Sequence, residues 1–158
     1  MAINIRQKGA GAEREIADDL NVIVYSLYKD LGIAWTKPVV QRNQNQSAVG
    51  GCDLVGTFGL AIEVKRQEAL SINSWWAQCV KSADDLGEVP VLLFRQSKQK
   101  WRCIIMVQLP LPGPNNAFMK VKAEIDYEAF KSFFRSWAQR QIADAPSAEA
   151  ASHPGLFD

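Results

Sequence analysis

Two short stretches carry charge where aliphatic residues dominate. Gly51-Cys52-Asp53-Leu54-Val55 is followed, ten residues after the aspartate, by Ile62-Glu63-Val64-Lys65. Burying a charge is costly unless it is paired or bound to a metal, so the pattern needs a reason. In a strand, Glu63 and Lys65 point to the same face, roughly 6.6 Å apart along the axis, and leave Leu60, Ile62 and Val64 for the core. Whether Asp53 joins Glu63 depends on hairpin parity. A two-residue loop Thr57-Phe58 sets Asp53 opposite Ile62. A three-residue loop Thr57-Phe58-Gly59, with Gly59 left-handed, sets Asp53 opposite Glu63 and brings the carboxylates within about 5 Å. Two carboxylates completed by carbonyl and water oxygens suit Mg²⁺ or Mn²⁺ better than zinc. Such an ion with a neighbouring ammonium suits phosphodiester hydrolysis: the ion activates water and polarises the phosphate, and Lys65 positions the water or offsets developing charge. The same spacing also fits a solvated edge-strand pair with Asp53 capping a turn.

The rest of the composition narrows the chemistry. Among 158 residues there is one histidine, His153, the sixth residue from the end. That count excludes every zinc site built on several histidines, and a lone histidine so near the end argues against Ser-His-Asp and Cys-His catalysis. Cys52, Cys79 and Cys103 form no CxxC pair and are odd in number, which points to a reducing cytosol rather than a disulfide framework. Cys52 reads as a small buried packing residue. The N-terminus lacks a signal-peptide core and the longest apolar runs are too short to span a bilayer, so a cytoplasmic protein without membrane contact is expected. Net charge is +1, but Gln141 to Asp158 holds three acids and no Lys or Arg, so the remainder carries 18 basic against 14 acidic residues. That balance is compatible with nucleic acid without demanding it.

The elements that would position these groups follow from periodicity. Ala12, Ile16, Leu20, Ile23, Leu27 and Leu31 predict a helix over Gly9 to Leu31, stopped by Gly32. Ile33 to Gln41 reads as an edge strand because Pro38 interrupts it, and Arg42 to Gly51 as a loop. Strands are predicted over Cys52 to Gly56 and Leu60 to Lys65. A helix from Ser71, its N-cap, to Leu86 follows, with Ile72, Trp75 or Trp76, Cys79, Ala83 and Leu86 on one stripe. Strands over Val89 to Phe94, Trp101 to Val107 and Phe118 to Ile125 precede a helix with Tyr127, Phe130, Phe134 and Trp137 on one face. The prediction is a single α/β domain over residues 1–142, a mixed sheet flanked by helices, with 143–158 a disordered tail.

A third acid, Glu13, lies in the expected first turn of helix one, where the macrodipole alone would account for it. The combination Lys8-Gly9, Glu13-Arg14-Glu15, Ser47 to Gly51, Asp53 and Glu63-Val64-Lys65 resembles the archaeal-type Holliday junction resolvases and their phage relatives, within the PD-(D/E)XK nuclease superfamily. The resemblance covers residues 6 to 95. It departs in one place, since Cys52 stands where the superfamily name records proline. The resemblance implies a restriction-endonuclease-like fold and a Mg²⁺-dependent endonuclease acting on four-way DNA junctions, with Mn²⁺ able to substitute. It implies that Asp53, Glu63 and the Val64 carbonyl hold the ion, that Glu13 contributes through water or a second ion, and that Lys65 assists the attacking water. Glu13, Asp53, Glu63 and Lys65 are thus the expected catalytic set. Arg6, Lys8, Arg14, Arg42 and Lys37 flank the site and are expected on DNA phosphates, which supply affinity without base readout. Ser47 and Gln78 are further expected DNA contacts. A homodimer is implied, because a four-way junction needs two symmetric cuts. Trp75 and Trp76 cannot both face the core, and one of them, or the C-terminal helix, could form that interface. His153 lies outside the expected fold, so His153→Ala should leave metal-dependent DNA cleavage unchanged. A large loss in a gel-based nuclease assay would contradict this.

Overall fold

Ala12, Ile16, Leu20, Val24 and Leu27 recur at three- and four-residue spacing and are buried. This stripe makes Ile5–Leu31 one long helix, α1, in the computed structural model, which describes residues 5–45 and 51–145. The helix starts four residues before the expected Gly9, Val24 takes the buried position expected of Ile23, and Leu31 is exposed. Then come β1 (Gln41–Arg42), β2 (Leu54–Val55), β3 (Leu60–Arg66), α2 (Ile72–Leu86), β4 (Val89–Arg95), β5 (Arg102–Pro110), β6 (Phe118–Asp126) and α3 (Tyr127–Asp144). The order is the one the sequence predicts. Helix α3 runs two residues past the expected domain boundary at 142, and His153 and the rest of the expected tail from 146 onward lie outside the described residues.

The main sheet is four-stranded and mixed, in the order β3-β4-β5-β6. β3 and β4 are parallel through α2, and the other pairs are antiparallel. Period-2 alternation splits each strand between two faces. Leu60, Ile62 and Val64 pack with Val91, Leu93, Cys103 and Ile105 beneath α1 and α3, whose Phe130 and Phe134 fill that core. The opposite face takes Leu92, Phe94 and Ile104 against Trp75 and Cys79 of α2. Trp75 is the buried member of its pair, Trp76 packs at the margin, and the C-terminal helix docks on its own core. On α2 the buried stripe is Trp75, Cys79 and Ala83, while Leu86 is exposed. Ser71 occupies the N-cap position without a side-chain capping bond.

Residues 33–40 are not the expected edge strand. Pro38 removes a ladder donor, and the polar groups beyond it bond to a side chain instead. Asn21 on α1 accepts from the backbone N–H of Val39 at 3.1 Å and Val40 at 2.9 Å and donates to the Val40 carbonyl at 2.8 Å. The strand begins only at Gln41, paired antiparallel with Val55 in a two-stranded ribbon with β2. The second expected strand, Cys52 to Gly56, shrinks to Leu54–Val55. Gly56 ends it after Val55, with φ of 74° and a position where a Cβ would overlap the Val39 carbonyl oxygen. Gly56→Ala should therefore lower stability by about 2 kcal/mol or more, since the new methyl meets rigid backbone in a left-handed conformation. Urea unfolding monitored by tryptophan fluorescence measures it, and a midpoint equal to the wild type would refute the packing.

Candidate active site

The site forms where the β1–β2 ribbon meets the edge of the main sheet. β3 is an outer strand, so one side of its backbone has no strand partner in the four-stranded order. Asp53 supplies that partner twice. Its N–H donates to the Ile62 carbonyl at 3.1 Å, and its carboxylate accepts from the Val64 N–H at 2.7 Å. Backbone groups two apart face the same strand edge, so the Val64 carbonyl opens on Asp53's side. The turn that sets this geometry is neither of the two loops expected. Leu60 N–H donates to the Thr57 carbonyl at 3.2 Å, with positive φ at both Phe58 and Gly59, so the central pair is Phe58-Gly59. Left-handed Gly56 just before it shifts the register. Asp53 lies opposite Ile62 by its backbone rather than opposite Glu63, yet its side chain reaches past to Val64. Trp137 of α3 fixes the turn by donating to the Phe58 carbonyl at 2.7 Å. Asn43 fixes the ribbon, through its N–H to the Asp53 carbonyl at 2.8 Å and its amide to the Cys52 carbonyl at 3.0 Å. Sequence reasoning missed both, because neither contact leaves a local spacing signal.

Glu63 and Lys65 share the α2 face of β3, as alternation requires. Lys65 Nζ lies 3.1 Å from Glu63 Oε1, and Gln78 of α2 donates to the same oxygen at 2.9 Å. Glu63 is only 1% exposed, and its second oxygen, Oε2, is buried without a hydrogen-bond partner. Burial, followed by the Asp53 charge and against the pull of Lys65, raises its carboxyl to about 7. Asp53 is 6% exposed. Two ionisable carboxyls this deeply buried beside one another are costly unless a cation joins them.

Glu13 approaches from α1. Its place, about two turns inside the helix, removes the macrodipole explanation that a first-turn position would have supplied. Arg42 of β1 donates to it at 2.6 Å. Burial raises its carboxyl, the Arg42 hydrogen bond opposes that, and the Asp53 charge adds to it. Glu13, Asp53, Glu63 and Lys65 thus lie within one another's electrostatic reach. Arg6, Glu13, Arg42 and Asn43 line an open groove of about 650 Å³ beside them.

The remaining expected DNA contacts scatter. Lys8 does not line the groove and pairs with Glu68 at 2.9 Å. Arg14 and Lys37 are exposed and do not line the groove. Gln78 lies against Glu63, inside the cluster. Ser47 lies outside the described residues. Glu15 is structural, accepting from Arg95 at 2.7 Å and from the Trp101 indole at 3.0 Å, which ties α1 to β4 and β5. Cys52 is buried against Ala61 and Ala83, the packing role its size suggests.

Among the described residues no three His, Cys, Asp or Glu side chains gather closely enough to form a metal cage on their own. The donor set at β3 is smaller: two carboxylates and a backbone carbonyl, all hard oxygens, with the buried Glu63 Oε2 unpartnered. That set fits a divalent ion of the Mg²⁺ class, which keeps several waters and takes few protein ligands. The raised Glu63 carboxyl gives a pH signature in chelator. The folded protein keeps the proton to about pH 7, whereas the unfolded chain releases it near 4.5. Stability from this group is full below pH 4.5 and is lost as pH rises through 7. Glu63→Gln, neutral throughout, should exceed the wild type at pH 8 by on the order of 1–3 kcal/mol and match it at pH 4. Urea unfolding in EDTA at the two pH values measures it; equal stability at pH 8 would mean that Lys65 fully offsets the burial.

A family described as "Phage putative PDDEXK endonuclease" matches residues 4–144. No curated protein matches the chain. A solved structure of Hjc from Archaeoglobus fulgidus, described as a Holliday junction resolvase from an archaeal hyperthermophile, is similar at 18% identity and a TM-score of 0.40. The match spans 79% of this chain and 96% of that one. No helix among the described residues is long and apolar enough to cross a membrane. With the family match running from before α1 to the last residue of α3, over a mixed sheet flanked by helices, the chain belongs to the phage PD-(D/E)XK endonuclease family and has the restriction-endonuclease-like fold.

Proposed function

We propose that this nuclease is a phage-encoded, Mg²⁺-dependent endonuclease that nicks four-way DNA junctions, with residues 1–142 as its single nuclease domain. One observation carries the catalytic part: the buried, unpartnered Oε2 of Glu63 beside Asp53 and Lys65. Asp53, Glu63 and the Val64 carbonyl would hold the ion, with Glu13 reaching it through water. When bound, Mg²⁺ supplies Lewis-acid polarisation of the phosphate and a water of lowered pKa. The side chains supply the rest. Gln78 and Lys65 fix one oxygen of Glu63 and so aim the other. The Lys65 ammonium orients the attacking water and offsets charge as it develops on the phosphoryl oxygens. Arg42 holds Glu13 at the lip of the groove, where it and Arg6 meet DNA phosphates.

Junction preference is supported by the sequence resemblance of the Lys8-Gly9, Glu13-Arg14-Glu15 and Glu63-Val64-Lys65 segments to junction resolvases. A labelled four-way junction and a linear duplex of the same sequence, incubated with Mg²⁺, test both parts. The junction should be cut in preference to the duplex. Asp53→Asn should reduce cleavage by about 100-fold or more while folding normally by circular dichroism. Equal cutting of both substrates would overturn the junction reading and leave the nuclease. Undiminished cutting by Asp53→Asn would overturn the site.

A further inference from the structure

β6 is the outer strand at the end of the sheet opposite the active site, and among the described residues only β5 pairs with it. It is nine residues long, and its register with β5 runs unbroken from Arg102↔Asp126 to Pro110↔Phe118, with no bulge to twist it away. Such an edge offers a full row of backbone donors and acceptors to another strand. Its sequence, Lys120-Val121-Lys122-Ala123-Glu124-Ile125-Asp126, is self-complementary in charge. Two lysines precede Ala123 at alternate positions and two acids follow it with the same spacing. The alternation is real in three dimensions: Val121, Ala123 and Ile125 are half-buried, while Lys120, Lys122, Glu124 and Asp126 are exposed.

The geometry points to a second copy of this chain as the partner of β6, paired antiparallel with Ala123 facing Ala123 across a two-fold axis. In that register each Lys122 lies opposite the partner's Glu124, and each Lys120 opposite the partner's Asp126. Val121 lies opposite the partner's Ile125 on the other face. Each of these three pairs is favourable and occurs twice, and the Ala123 pair lies once on the axis, as an isologous interface requires. The alternatives are worse on the same residues. An axis at Lys122 sets that lysine against itself, and an axis at Glu124 does the same with an acid. A slip of one residue sets the charged row against the apolar one. The charged row is also held in place. Arg102 grips Glu124 at 2.6 and 3.0 Å, and Asp126 is fixed as the α3 cap through the Ala129 N–H at 2.8 Å. The product is one continuous eight-stranded sheet with α2 on the same face in both protomers. The two β3 edges are then seven strand spacings apart, roughly 34 Å, on the outer flanks of the dimer.

The interface stands independently of the cleavage chemistry, and its test reads assembly rather than activity. Sedimentation velocity of the full chain should show a dimer. Lys122→Glu and Glu124→Lys, each of which turns two attractive pairs into repulsive ones, should each weaken dimerisation about 10- to 100-fold. An equimolar mixture of the two variants should restore the dimer, because every cross-strand pair is complementary again. Ala123→Cys, which changes no charge, should form a covalent dimer under mild oxidation that dithiothreitol reverses. Cleavage of DNA by the charge variants, measured separately, keeps a failed interface distinct from a failed nuclease site. A wild-type monomer throughout the micromolar range would overturn the proposal. So would charge variants as dimeric as the wild type, which would move the interface to another face, such as the apolar patch at Val22, Tyr25 and Trp35.

Discussion

The burial of Glu63 is the constraint on which the rest of the site depends. A carboxylate at 1% exposure on an edge strand is stable only if something removes or balances its charge. Lys65 and Gln78 share one of its oxygens and leave the other without a partner. The nearby Asp53 makes the imbalance worse, since its charge raises the Glu63 carboxyl further. Local stability is spent on a concentration of acidic groups of the kind a divalent cation would relieve. The cluster pairs Glu13 with Arg42 and Glu63 with Lys65, and it still leaves one oxygen of Glu63 buried without a hydrogen bond.

Much of the fold serves to hold Asp53 against that edge. The ribbon of β1 and β2 is only two residues per strand, too short to stand by itself. It is held by side chains from elsewhere: Asn21 on the chain before it, Asn43 across it, and Trp137 at the turn beyond it. Gly56 lets the chain pass close beneath Val39. The result is that Asp53 uses backbone and side chain together on β3, occupying Ile62 and Val64 at once. On the other flank, Arg42 draws Glu13 from α1 toward the same point. Three separate chain segments thereby bring acids to one strand edge without a histidine among them.

The opposite edge of the same sheet is organised on a different principle. At β3 the open backbone is capped by an acid from within the chain. At β6, among the described residues, it is left open, bordered by lysines and acids in a sequence that reads as its own complement. One sheet thus bears the proposed site at one end and the proposed dimer surface at the other, and the two ends do not share residues.

Alternation, glycine placement and amphipathic periodicity were enough to read the order of elements, the two faces of β3 and the pairing of Glu63 with Lys65. These depend on contacts between residues close in sequence, and a period of two or 3.6 records them directly. The same local signals misled wherever a distant group intervened. Residues 33–40 look like a strand, but Asn21 takes their backbone groups. Glu13 looks like a helix-start acid, but α1 begins earlier than Gly9. The loop parity that should have decided the place of Asp53 was overridden by Gly56 and a turn centred on Phe58-Gly59. The sequence by itself determined which residues could carry the chemistry and on which face of which strand they lie. Only the tertiary structure decided that Asp53 meets Val64 rather than Glu63, that Arg42 holds Glu13, and that one oxygen of Glu63 is left unpaired, because those are contacts between segments whose spacing in the chain carries no trace of their distance in space.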